Sequence, residues 1–250
     1  MERTAVPGRL SWLLGEVVEI IVETPTTRSL VLSVPGWGGH RAGQHVDVRL
    51  TAPDGYRAER SYSIASAASG ERVELTVERL DDGEVSPYLT GELRVGDEVE
   101  LRGPIGGYFV WDAAQGGPLL LIGGGSGVVP LMAMIRQRTA VGSAIPVRLL
   151  HSSRTYEEII YRVELERLAA AGGALEVFHT LTRGHPPDWT GYQRRIDETM
   201  LAEVGWAPAD RPLIYVCGPT RLVELVATTL TTLGHEPARV RTERFGPTGG

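Results

Sequence analysis

The chain has 250 residues, of which 42% are hydrophobic and 22% charged, with a formal net charge of -6. That is enough chain for one or two domains with real cores, and the acidic balance gives no basic field to favour nucleic acid or an anionic membrane. A single cysteine, Cys217, excludes an intrachain disulfide and any cluster held by several thiolates, and no apolar run is long enough to span a bilayer. Without a secretory h-region near Met1, the expected location is cytoplasmic. The six histidines show no metal-ligand spacing, so no metal site is expected.

The first eleven residues read as a frayed leader. From there to residue 101 the pattern is six short β runs: Gly15 to Ile21, Thr27 to Val34, Gln44 to Leu50, Arg60 to Ala65, Arg72 to Arg79 and Glu98 to Leu101. Turn signals such as Pro35-Gly36, Pro53-Asp54-Gly55 and Asp81-Asp82-Gly83 separate them, which predicts a small antiparallel six-stranded β-barrel.

The fourth run carries Arg60-Ser61-Tyr62-Ser63. On a strand, Arg60 and Tyr62 share one face and Ser61 and Ser63 the other, unless the strand kinks. A cation for a pyrophosphate, an aromatic face for an isoalloxazine and a hydroxyl for its redox edge suit a flavin nucleotide. An exposed strand with an ordinary surface arginine is the alternative. Gly83-Glu84-Val85-Ser86 then precedes one short helix at Pro87-Tyr88-Leu89, so Gly83, Val85 and Ser86 either meet a phosphate or form a hairpin turn with Ser86 as N-cap. Gly106-Gly107-Tyr108-Phe109 closes the β region and brings two aromatics to the rim or to the core.

Beyond the linker Gln115-Gly116-Gly117-Pro118, strands and helices alternate as in a Rossmann-like parallel α/β domain. The expected division is therefore 12–113 for the barrel and 117–250 for the second domain. Leu119 to Ile122 is a strand buried on both faces, and Gly123-Gly124-Gly125-Ser126-Gly127-Val128-Val129-Pro130 leads to a helix from Leu131 to Thr139. Strand, glycine loop and helix are the order that a pyrophosphate site requires, which makes Gly125, Ser126 and Gly127 cofactor-binding candidates. Pro130 departs from the G-x-G-x-x-G fingerprint, where a third glycine would stand, but a first helical turn tolerates it.

The next strand, Pro146 to Leu150, runs into His151-Ser152-Ser153-Arg154, and a helix from Tyr156 to Ala170 follows. Two hydroxyls and an arginine in place of an acidic residue point to a 2'-phosphate, hence NADPH, with NADH possible if Arg154 is only a solvated helix-start residue. A strand from Leu175 to Leu181 ends at Thr182-Arg183, and a helix spans Glu198 to Glu203. A strand from Pro212 to Val216 ends at Cys217-Gly218-Pro219 before a helix from Arg221 to Leu233. There a glycine beside a small thiol leaves room for a flat ring; a buried filler is the alternative for Cys217. A last strand, Val240 to Thr242, leads into Glu243-Arg244-Phe245-Gly246, where Phe245 is placed to cover something flat.

Four stretches together, Arg60-Ser61-Tyr62-Ser63, Gly125 to Pro130, Cys217-Gly218-Pro219 and Glu243 to Gly246, resemble the ferredoxin-NADP reductase superfamily, in its order and over the chain from about residue 13 onward. The resemblance implies an FAD-binding barrel and an NAD(P)H-binding α/β domain. It implies Arg60 on flavin phosphate, Tyr62 against the flavin, Ser63 near N5, and Gly83, Val85 and Ser86 as a second phosphate segment. Ser126 and Gly127 would fall in the pyridine-nucleotide loop, Ser153 and Arg154 at the 2'-phosphate, and Thr182 and Arg183 on a further cofactor-side segment. Cys217 and Gly218 would position the nicotinamide, and Glu243 and Phe245 would flank the isoalloxazine; Ser63, Cys217 and Glu243 are thus the catalytic candidates. The chain is most similar to reductase components of oxygenases but lacks the cysteines for their ferredoxin domain. Electrons are expected to leave FAD for a separate ferredoxin, flavodoxin, oxygenase component or small acceptor. A flavin reductase that releases reduced flavin, and a non-catalytic flavin-binding redox sensor, are the rival expectations, and the sequence leaves the oligomeric state open.

Overall fold

A computed structural model describes residues 10–172 and 174–245. Most of the expected leader and the end of the tail, from Gly246 on, lie outside the described residues. Six strands form the first sheet: β1 (Trp12–Thr24), β2 (Thr27–Ser33), β3 (His45–Thr51), β4 (Arg57–Ser63), β5 (Arg72–Glu78) and β6 (Glu98–Ile105). All the pairings are antiparallel, in the order β4-β3-β6-β1-β2-β5. The two outer strands meet where Ile64 bridges Leu75 and the Ala65 amide donates to the Glu74 carbonyl at 2.8 Å, which curls the sheet into the expected barrel. Alternation explains its core: Val46 and Val48 on β3, and Val73, Leu75 and Val77 on β5, point inward against Leu30, Leu32 and Leu101.

The second sheet is parallel, in the order β11-β10-β7-β8-β9. Its strands are β7 (Leu119–Gly124), β8 (Val147–Thr155), β9 (Leu175–Gly184), β10 (Leu213–Pro219) and β11 (Val240–Phe245). Every residue of β7 is buried, as its unbroken apolar run requires of a central strand covered on both faces. Around the sheets lie α1 (Ser86–Gly91), α2 (Val128–Ala140), α3 (Arg162–Ala170), α4 (Glu198–Val204) and α5 (Thr220–Thr232).

Two expectations about local structure change. The helix expected over Tyr156 to Ala170 is broken: a single 3-10 turn spans Tyr156–Glu158, and Tyr161 takes a left-handed conformation (φ 59°) before α3 begins. Tertiary contacts outweigh the helical pattern here, because Ile159, Ile160 and Tyr161 are all buried and the Tyr161 hydroxyl donates to Thr76 of the barrel. Ser86 is not an N-cap; Val85 holds that position, and the Ser86 hydroxyl accepts from the Leu80 amide at 3.0 Å.

The two sheets are joined by specific contacts. Arg136 of α2 reaches Glu74 of β5 at 2.7 Å, Glu164 of α3 at 2.6 Å and the Ala65 carbonyl at 3.0 Å. Phe109 is core rather than rim, packed edge-on against Tyr215 with ring centroids 5.3 Å apart, whereas Tyr108 is exposed. The Tyr215 hydroxyl donates to the Val110 carbonyl at 2.8 Å. Buried partners of this kind fix the orientation of the two sheets and so the shape of the gap between them.

Candidate functional site

That gap is a cleft of about 870 Å³, within the range of small-molecule and cofactor sites. One wall is barrel, formed by Arg60, Ser61, Tyr62 and Ser63 at the end of β4 and by Thr27 and Thr76 on neighbouring strands. Tyr62 packs against the barrel core, and burial pushes its phenol well above the ordinary range, so it is a neutral ring throughout physiological pH. The Ser61 hydroxyl donates to Asp47 at 2.7 Å, across the β3–β4 pair, and so already has a partner, while Arg60, Tyr62 and the buried Ser63 border the cleft beside it. Gly83, Val85 and Ser86 border the same wall.

The opposite wall is the carboxyl end of the parallel sheet, the usual place for a ligand in such folds. Gly124, Gly125, Ser126 and Val129 come from the β7–α2 turn. Among the described residues no side chain caps the amino terminus of α2; the Val128 amide turns back to the Gly125 and Ser126 carbonyls, and the positive end of the helix dipole lies beside the cleft. Two glycines make this turn possible. A Cβ on Gly127 would lie 2.2 Å from the Cys217 carbonyl oxygen, and Gly218, at φ +143°, lies with its Cβ position 3.0 Å from the Gly124 carbonyl oxygen. The glycine loop and the Cys217-Gly218 segment therefore press backbone on backbone. His151 supports the turn from behind: burial pulls its pKa down to about 3, so the ring is neutral, with Nε2 3.1 Å from the Gly125 carbonyl.

Ser153, Arg154 and Thr182 line one end of the cleft. Among the described residues the buried Ser153 hydroxyl has no hydrogen-bond partner, an orphan that a ligand oxygen would satisfy. Arg154 belongs to β8 rather than to a helix start, since the strand runs on to Thr155. Arg183 is exposed and does not line the cleft. Glu158 does line it, a carboxylate in the same cleft as Arg154 that the sequence reading missed. It stands in the 3-10 turn that replaces the start of the expected helix.

Pro219 and Phe245 border the cleft where β10 and β11 end, paired in register. Cys217, Gly218, Gly127 and Glu243 do not line it; they form the layer directly behind. The Cys217 thiol is 3.9 Å from Glu243. Burial raises the thiol far above its usual range, which leaves it inert as a nucleophile, and burial pushes the Glu243 carboxyl up to about 7. Thr24, Thr26 and Arg221 are further lining residues that no local motif marks, and Glu84 and Arg244 line it from within stretches whose other residues were the candidates.

These groups fit a flavin and a pyridine nucleotide together: a buried aromatic ring and a guanidinium on one wall, and a helix start over tightly packed glycines and an orphaned hydroxyl on the other. Among the described residues no group of side chains suits a metal ion.

Comparison with known proteins agrees with that fit. The sequence model of the oxidoreductase FAD-binding domain matches residues 15–110, and that of the oxidoreductase NAD-binding domain matches residues 121–228. Ferredoxin--NADP reductase B of Sorangium cellulosum is 36% identical over 210 residues, which cover 82% of this chain and 84% of that protein. The glycine betaine monooxygenase reductase subunit of Chromohalobacter salexigens is 31% identical over 236 residues, covering 92% of this chain but 63% of that protein, so the chain spans just under two-thirds of this relative. Among solved structures, the flavohem-like FAD/NAD binding domain of a nitric oxide dioxygenase from Vibrio cholerae superposes with a TM-score of 0.84 at 27% identity, covering 94% of this chain and 99% of that one.

Proposed function

The chain belongs to the ferredoxin-NADP reductase superfamily as an NAD(P)H-dependent flavoprotein reductase, and from that premise we propose that it draws on NADPH and passes electrons through FAD to a separate cytoplasmic acceptor. That acceptor is a ferredoxin, a flavodoxin, an oxygenase component or a small molecule. The sequence contains one cysteine, too few to ligate an iron–sulfur cluster of its own. The observation that carries the reading is the meeting of the Arg60-to-Ser63 strand end and the Gly125-Ser126 turn across a single cleft.

When bound, the nicotinamide supplies a hydride and the flavin accepts it; the protein's part is geometry and electrostatics. Residues 12–113 hold FAD: Arg60, Gly83, Val85 and Ser86 take its phosphates, Tyr62 supplies a flat apolar floor, and the Ser63 hydroxyl orients the redox edge. Residues 117–250 hold the nucleotide. Amides of Gly125 and Ser126 receive its pyrophosphate, with Gly127 packed behind them, while Ser153, Arg154 and Thr182 receive its 2'-phosphate, with Arg183 outside the wall adding long-range positive charge. Cys217 and Gly218 back the nicotinamide pocket, Pro219 borders it, and Phe245 flanks the isoalloxazine. Glu243, poised near neutrality, holds or releases a proton behind the ring site.

The test is spectroscopic. Protein loaded with FAD and kept anaerobic should lose its visible flavin absorbance on adding NADPH, more readily than with NADH, and regain it with ferricyanide. An unchanged spectrum with both nucleotides would overturn the reading. So would bleaching that ferricyanide cannot reverse.

A further inference from the structure

The barrel wall contains an arrangement that works against its own phosphate-binding role. Arg60 is the guanidinium best placed for a flavin diphosphate, yet both of its terminal nitrogens have protein partners. Nη1 donates to the Glu59 carbonyl at 2.8 Å, and Nη2 pairs with the Glu84 carboxylate at 2.8 Å. Glu84 lies between Gly83 and Val85, inside the segment expected to receive phosphate, and lines the cleft itself. It is not a loosely placed surface acid, because the Tyr56 hydroxyl donates to its other oxygen at 2.7 Å. Tyr56 and Arg60 between them keep the carboxyl ionised, holding it below the usual carboxylate range.

We infer that Glu84, clamped by Tyr56, is a built-in competitor that offers Arg60 a carboxylate where the flavin diphosphate must bind, and so keeps the flavin exchangeable. The inference rests on the flavin reading above and adds a residue to it. Any phosphate approaching Arg60 must displace Glu84 or share the guanidinium with it, and in either case two anions meet at one cation. The group is solvent-exposed, so the effect is moderate and is screened by salt. A flavin without phosphate does not call on Arg60 and is indifferent to the charge of residue 84. A permanently held flavin would gain from a neutral or basic residue here; a carboxylate suits a site from which flavin leaves.

The experiment compares the wild-type full chain with Glu84→Gln, which keeps the shape and removes the charge. Dissociation constants for FAD and for riboflavin are measured by fluorescence quenching at low and high salt. The expected result is FAD binding about tenfold tighter in the variant at low salt, a gap that narrows at high salt, and riboflavin binding equal in both proteins within about twofold. FAD binding that is unchanged or weaker in Glu84→Gln would overturn the inference and make Glu84 a positioning residue for Arg60. A gain shared equally by riboflavin would also overturn it, since that gain could not arise at the phosphate. Failure of both proteins to bind either flavin would contradict the flavin reading itself, an outcome distinct from the other two.

Discussion

The two walls of the cleft recognise their ligands by different means. The barrel wall presents side chains, Arg60, Tyr62 and Ser63, at the end of an antiparallel strand. The parallel wall presents backbone: glycines 124, 125 and 127, a helix start without a side-chain cap, and a second glycine segment pressed against the first. Side-chain recognition can be tuned one residue at a time, whereas backbone recognition is set by close packing and fails as a unit. Tuning is visible in Glu84, which moderates Arg60 without altering the wall. Packing is visible in Gly127, where one added carbon would collide with the Cys217 carbonyl oxygen.

The contrast is broken most severely by Gly127→Ala. The new methyl group must push the loop away from Cys217, and a displacement of this size at a reacting pair costs roughly 100-fold in rate. Flavin reduction by NADPH should fall by about that factor while FAD affinity stays near wild type. Equal loss of FAD binding would show that the walls are not separable.

A smaller effect, about tenfold, is expected from Arg154→Ala. NADPH affinity should fall while NADH changes by less than about twofold, because only the 2'-phosphate needs the guanidinium. Equal losses for both nucleotides would remove the phosphate assignment and point instead to Glu158 as a partner for ribose hydroxyls.

The last effect is on stability rather than on binding or rate, and concerns pH. Folding raises Glu243 from 4.5 to about 7, so the folded protein holds a proton that the unfolded chain has released between those values. Stability from this group is therefore complete below about pH 4.5 and is lost as pH rises through about 7, on the order of 1–3 kcal/mol. Glu243→Gln should flatten that part of the thermal-stability profile. An unchanged slope would show that the carboxyl is not buried as described.

How much of this was legible in the sequence follows the same division. The Arg60-to-Ser63 strand and the triple-glycine turn announce themselves because each packs its chemistry into a few consecutive residues. The six barrel strands are equally plain, since alternation and turn residues act locally. Glu158 and the break at Tyr161 were hidden, because a buried contact to Thr76 outweighs a helical pattern that is locally sound. The Arg136 bridge between α2, β5 and α3 was hidden for a similar reason: its partners lie 62 and 28 residues away. Cys217 and Glu243 were found by resemblance, yet they sit one layer behind the cleft surface, a depth that no spacing encodes.

The most direct test of the central claim, that the two walls bring a nicotinamide and a flavin face to face, is stopped-flow reduction with NADPH deuterated at C4 on one face or the other. A cleft with two fixed walls predicts a primary isotope effect on flavin bleaching for one labelled face and none for its mirror. Bleaching without an isotope effect for either face, or equal effects for both, would contradict direct transfer between rings held in this cleft.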